Sequence, residues 1–292
     1  MPDLAVHYYF GQNVRESLPS EAEIIPDVFD FALSGPDDWF YCFSNRRLYS
    51  RGPYMHRNKT GEFLSALASE PSLFSYFAGF FCHYILDAVC HPYIISCTGR
   101  YDGTASTRKY LGSHTAFERA LDRWILKDHP GKHPLTDVMF RRLLPSQMKE
   151  PVNRVYKSVF GWDNTFQELL TAKEKMRKYL HILEDPHGTA GLITSIVRHP
   201  FLLPLPYSRH YYEDTDFLNL SHRQWHHPGD PEMTSRSSFP ELMKQAELEA
   251  VRAIAAARAG DLSLIGNRSY ITGFDLEDER NNRPETFSLL ER

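Results

Sequence analysis

The sequence predicts an all-α protein, a multi-helix bundle, on three observations. Alternating apolar and polar runs bounded by turn pairs are nearly absent. Apolar residues recur instead at helical spacing, with start and stop signals around them. Residues 71–91 are hydrophobic on every side, as expected of a helix at the centre of a fold.

The elements follow in order. "EAEIIPDVFDFALSG" carries Ile24, Ile25, Val28, Phe29 and Leu33 at helical intervals, with Gly35 as its stop. "GEFLSALAS" reads as a short helix, and residues 71–91 as the long central one. Pro92 disfavours helix at the residue before it, which puts His91 in the last turn. "SHTAFERALDRWILKD" is amphipathic. "DNTFQELLTAKEKMRKYLHIL" opens on an Asp cap and stops at "EDPHG". "FPELMKQAELEAVRAIAAARAG" has Pro in its first turn and Gly260 at its end. The stretch "LLPLPYSRHYYEDTDFLNLSHRQWHHPGDP" reads as a long loop of Pro, His and aromatics. The organisation expected is one helical domain over residues 1–292, with a helical C-terminal part over 131–265 and a loosely packed polar tail over 266–292.

The totals bound the function. With 292 residues the chain can bury a large core without disulfide staples. A net charge of −4 gives no electrostatic reason for a stable nucleic-acid complex or for binding an anionic membrane. Cys42, Cys82, Cys90 and Cys97 fit no zinc or redox spacing. The start "MPDLAVHYYFGQNVRE" lacks a basic region followed by an apolar one, so a cytoplasmic protein with free thiols is expected. The run from Pro71 to Cys97 is long enough to span a bilayer, but His83, Asp87, His91 and Pro92 make it a core helix of a soluble protein.

Those same residues pose a chemical question. Residues four apart lie about 40° apart around a helix, so His83, Asp87 and His91 share an arc of about 80°. An ionised Asp in an apolar interior costs several kcal/mol unless it is paired or bound to a metal. From this helix alone, a metal site and a buried Asp–His hydrogen-bonded network are equal readings.

The helix "SHTAFERALDRWILKD" shifts the balance. With His114 at 0°, Phe117 falls at about 300°, Glu118 at about 40°, Leu121 at about 340° and Ile125 at about 20°. Arg119, Asp122, Arg123 and Lys127 fall between about 80° and 220°. Glu118 is therefore predicted on the core-facing side, away from the other charges. Two helices that each aim a His and a carboxylate inward suggest one shared metal cluster. His7 in "HYYFGQNV", Asp37 in "GPDDWFY" and His56 in "YMHRNKTGEF" are further candidates, each weak by itself.

Taken in order, His7, Asp37 in GPD, His56, the pair His83 and Asp87, then His91, then the pair His114 and Glu118 resemble the bacterial zinc-dependent phospholipase C family, related in fold to the S1/P1-type nucleases. More weakly, "DFLNLSHRQWHHP" followed by an Ala-rich helix resembles the family's C-terminal half. The resemblance implies an all-α bundle enclosing a polynuclear zinc site, with a metal-binding core in residues 1–130. By the same resemblance Asp37, His56, His83 and Asp87 would hold one zinc and His91, His114 and Glu118 a second. His7 and Asp87 would share a third. Asp37 would also assist as a catalytic base. The family's N-terminal Trp has no counterpart in this Met-Pro start, so the third site would be vacant, completed by water or completed by the Pro2 amine. Residues 99–113 lengthen the gap before His114 and are expected beside the mouth of the site.

The function this implies is a zinc-dependent hydrolase that cleaves a phosphoester through a metal-activated hydroxide, acting on a phospholipid or a small phosphoester with transient membrane contact. The positions lining the family's choline pocket do not map here, so no headgroup is assigned. A nuclease or nucleotidase with the same metal core is one alternative, and a non-catalytic helical module with structural zinc another. A carboxylate-rich cluster without Cys argues against the last, since structural zinc favours closed four-coordinate sites. Asp38, Trp39 and Tyr41 either shape a pocket or, for Trp39 and Asp38, serve as helix-end packing and surface charge. His222, His226 and His227 are expected at the surface and Trp225 in the core.

Overall fold

A computed structural model describes residues 4–128, 144–200, 202–283 and 285–290. The Met-Pro start and the expected boundary at 130/131 lie outside these residues. The fold is all-α, with one small two-stranded hairpin among the described residues.

At its centre stands α6 (Phe74–Thr98); α1 (Leu4–Ser17), α2 (Pro26–Ala32) and α5 (Thr60–Ala68) pack against it from the N-terminal side. Two short helices, α3 (Arg46–Tyr49) and α4 (Arg51–Met55), follow a 3-10 segment at Gly35–Cys42. Later come α7 (Ser113–Lys127), α8 (Lys149–Phe160), α9 (Thr165–Glu184) and α10 (Thr189–Val197). The antiparallel hairpin of β1 (Trp225–His227) and β2 (Asp230–Ser235) leads into α11 (Phe239–Arg258), which lies along α6.

Every residue of α6 is buried. It is long and apolar enough to cross a membrane, yet protein covers all of it. Its bounds differ from the expected 71–91. Pro71–Leu73 form a 3-10 turn, and the helix runs through Pro92 to Thr98. A proline removes one helical N–H and frees the carbonyl four residues back. Here that carbonyl belongs to Ala88, and Gly273 packs its Cα against it, at φ +70° and with no room for a Cβ. The freed carbonyl thus faces backbone that only a glycine can bring so close.

Other differences have local causes. The segment 21–35 is α-helical only over Pro26–Ala32, with Pro26 in the first turn and Ile25 before it exposed, and Gly35 opens the following 3-10 segment instead of ending the helix. The cap expected from Asp163 is absent. Asn164 occupies the cap position at φ 55° without a side-chain bond, and Asn153 Oδ1 accepts from Phe166 N instead. Ser238 and Glu241 form a capping box at the start of α11. The expected loop holds the hairpin, with Trp225 buried as predicted. His227 is buried rather than superficial, its Nε2 donating to Thr272 O at 2.8 Å. The expected polar tail is anchored in part: Tyr270 is buried, and its N–H donates to His56 O at 3.1 Å.

Candidate metal centre

Three helices and two connecting segments bring the candidates together. α6 supplies His83, Asp87 and His91, one per turn. α1 lies across it and contributes His7, while α7 contributes His114 and Glu118. Asp37 comes from the 3-10 segment and His56 from the C-terminal end of α4. Gly35 makes this approach possible, because at φ +52° it sits against the His83 ring where a Cβ would collide.

All eight side chains converge. Asp37, His56 and His83 form one group, His7, His83 and Asp87 a second, and His91, His114 and Glu118 a third. Within each group, one ligand atom per residue lies within 4.8 Å of the others. Asp87 sits between them. Its Oδ1 is 3.2 Å from His7 Nε2 and 3.5 Å from His91 Nδ1. Its Oδ2 is 3.2 Å from His83 Nε2 and 3.8 Å from His56 Nε2. Asp37 Oδ1 is 3.3 Å from His56 Nε2, and Glu118 Oε1 is 2.7 Å from His114 Nε2 and 3.5 Å from His91 Nε2. The His7 and His83 rings stack at 4.0 Å. His114 is 26% exposed and seven candidates are buried, so the cluster meets solvent at His114.

Hydrogen bonds orient the imidazoles. Nδ1 of His56 meets Gly52 O at 2.7 Å, Nδ1 of His83 meets Leu33 O at 3.1 Å, and Nδ1 of His91 meets Tyr270 O at 2.8 Å. A carbonyl can only accept, so each Nδ1 carries a proton and each Nε2 faces the cluster. Outer-shell bonds of this kind accompany metal-ligating histidines. His7 Nδ1, Asp37 Oδ2, His83 Nε2 and Asp87 Oδ2 are buried without a directed hydrogen bond. Buried polar atoms without partners are rare, and a divalent cation would satisfy these together. The donor set of imidazoles and carboxylates therefore fits zinc.

The charges agree. Burial works to raise Asp87, but His91 and His83 outweigh it and hold the carboxyl well below its usual range. Asp37 and Glu118 are also lowered against burial, led by His83 and His114 respectively. Burial, reinforced by His83, lowers His7 to about 4. His114 is lowered too, by burial. Burial also opposes charge on His83 and His91, but the facing carboxylates, Asp87 first, raise both above the ordinary value.

The residues behind the cluster carried weaker signals. Asp38 is buried, not a surface charge, and pairs with Lys173 Nζ of α9 at 3.0 Å. Lys173 also donates to Phe31 O and to Ser34 Oγ. Trp39 is buried with the Arg51 guanidinium 4.9 Å from its ring. Asp122 accepts from Ala5 N, Val6 N and Tyr207 Oη, tying the start of α1 to α7. The lysine was hidden by its place in a charge-rich helix that otherwise reads as solvated. Residues 99–113 lead directly into His114, and Gly112 caps α7.

A family profile described as zinc-dependent phospholipase C matches residues 6–172, more than half of the chain and the whole candidate cluster. No curated protein and no solved structure matches.

Proposed function

The chain belongs to the zinc-dependent phospholipase C family, and from that premise we propose that it hydrolyses a phosphoester of phospholipid type at the cluster built on Asp87. Asp37, His56, His83 and Asp87 are the ligands proposed for one zinc, and His91, His114 and Glu118 for a second. His7 with Asp87 is proposed for a third. Bound zinc would acidify a water and neutralise phosphoryl oxygens.

The protein's own groups do the rest. Asp87 keeps its negative charge in the interior and separates the donor groups. The Nδ1–carbonyl bonds orient His56, His83 and His91 so that Nε2 is the nitrogen each offers to an ion. Substrate approaches over His114, the solvent edge. In the hydrolysis, the oxygen of water bonds to phosphorus and the bond from phosphorus to the alcohol oxygen breaks. Asp37, whose Oδ2 has no hydrogen-bond partner, takes the water's proton, and the departing oxygen takes up a proton to leave as the alcohol.

The observation that supports this reading most is the convergence of three donor groups with their imidazoles pre-oriented. Elemental analysis of the purified protein is expected to give at least two zinc ions per chain. His114→Ala is expected to lower turnover of bis(p-nitrophenyl) phosphate at least about 100-fold, since loss of even an outer-shell partner costs ~10–100-fold. A zinc-free protein with full activity, or an unaffected His114→Ala variant, would sink the proposal. Parallel assays on phosphatidylcholine and single-stranded DNA separate a lipase from a nuclease.

A further inference from the structure

The helix α10 is amphipathic in the wrong sense for a soluble protein. Leu192, Ile193, Ile196 and Val197 are 63%, 60%, 73% and 55% exposed. At about 100° per residue these four occupy an arc of about 140°. The opposite side, facing the protein, is small or polar: Gly191 is buried, and the Thr194 and Ser195 hydroxyls turn back to its carbonyl. A globular surface helix normally does the reverse.

This helix is firmly held. Asp185 accepts from Ala190 N at 2.8 Å, Gly191 N at 2.7 Å and Ser208 Oγ at 2.6 Å, which fixes its first turn. Arg209 donates to Gly191 O at 2.8 Å. The same strand of loop reaches the metal-bearing helix: Tyr207 Oη donates to Asp122 of α7, and Arg123 of α7 donates to Tyr211 O. At the other end, the Pro200 carbonyl lies against Gly112, two residues before His114, where a Cβ would not fit. The apolar face is thus tied to the one exposed edge of the cluster.

Charge indicates what covers it. Between Asp185 and Glu213 the chain has no acid and two arginines, of which Arg209 is bound to Gly191 O and Arg198 is free to face outward, in a chain whose net charge is −4. Arg198 is exposed at the C-terminal end of the apolar face. A helix with an exposed aliphatic face and a cationic flank suits an anionic lipid interface. We propose that α10, with Leu192, Ile193, Ile196 and Val197 as its inserting side chains, docks the protein on an anionic phospholipid surface and so sets His114 toward the lipid. This rests on the phospholipid reading above for its purpose, but its test does not require turnover.

Zinc-loaded full-length protein is sedimented with vesicles of equal phosphatidylglycerol and phosphatidylcholine. Co-sedimentation is expected. The double variant Leu192→Asp/Ile196→Asp is expected to lower the bound fraction at least about tenfold with its melting temperature and zinc content unchanged. As a second measurement, Ile193→Cys is labelled with a polarity-sensitive dye, which is selective because the four native Cys are buried. A blue shift on adding vesicles is expected. Equal binding by the double variant, or a dye spectrum unmoved by vesicles, overturns the proposal. So does light scattering that finds a native dimer dissociated by the double variant, since the face would then belong to a second copy. Loss of phosphodiester turnover with vesicle binding intact would instead count against the hydrolase reading alone.

Discussion

His83 and His91 show how one carboxylate sets a site's chemistry. Each donates Nδ1–H to a carbonyl, and each is pushed above the ordinary histidine value because burial, the largest single influence, is outweighed by the facing carboxylates together, Asp87 first. A raised value means that metal-free protein holds the Nε2 protons of these two rings to higher pH than a free imidazole would, and zinc must displace them. His7, lowered to about 4, is ready as a neutral ligand throughout. Zinc binding is therefore expected to release protons, with affinity that rises with pH across the raised histidine range and then levels off. Calorimetry in buffers of different ionisation enthalpy measures that release. Binding that takes up protons, or ignores pH, contradicts this account. Asp87 itself was legible from the sequence because an acid inside an apolar run demands a partner. The partners of His83 and His91, Leu33 O and Tyr270 O, are backbone groups 50 and 179 residues away, and no side-chain pattern announces them.

Among the elements, the helices with both an apolar stripe and a recognisable start or stop signal were legible within a few residues. The exceptions were decided by contacts from outside each segment: α6 runs through Pro92 beside Gly273, and α9 takes its cap from Asn153. α1, α8 and α10 had not been singled out. The apolar pattern of α10 faces outward, so it cannot be recognised as part of a core. The junction between α9 and the 3-10 segment is a test of element positioning. Burial lowers Lys173 and raises Asp38, so both are drawn toward neutrality, and removing one leaves the other stranded. Lys173→Met is expected to cost about 3–5 kcal/mol in denaturant unfolding and to weaken zinc binding through the displaced Asp37. Lys173→Met/Asp38→Leu is expected to recover most of the stability, because an apolar pair replaces a buried ionic one. If the double variant is as unstable as the single one, the pair is not what holds this junction.

At the scale of the molecule, three carboxylates and five imidazoles share the interior of one bundle. An ion that binds only the folded chain adds its binding free energy to stability, about 4 kcal/mol at a thousandfold excess over its Kd. Chelation is thus expected to lower the melting temperature by on the order of 10 °C, with recovery on adding zinc. A melting curve indifferent to chelator would mean that the cluster contributes no net stability through metal. The sequence carried the donor types and their helical spacing. It did not carry the approach of α1 and α7 to α6, which depends on Asp122 and the packing of many apolar side chains, or that of the 3-10 segment, which depends on Gly35.

Tyr270 joins the far end of the chain to this interior, receiving from His91 and giving to His56 O. During synthesis the candidate ligands through Glu118 emerge well before it does. A ribosome-bound chain has every donor atom early but cannot lock His91 until more than 150 further residues are made. Full loading then waits on the synthesis of Tyr270, and a chain cut short before it is expected to bind zinc poorly despite containing every candidate ligand.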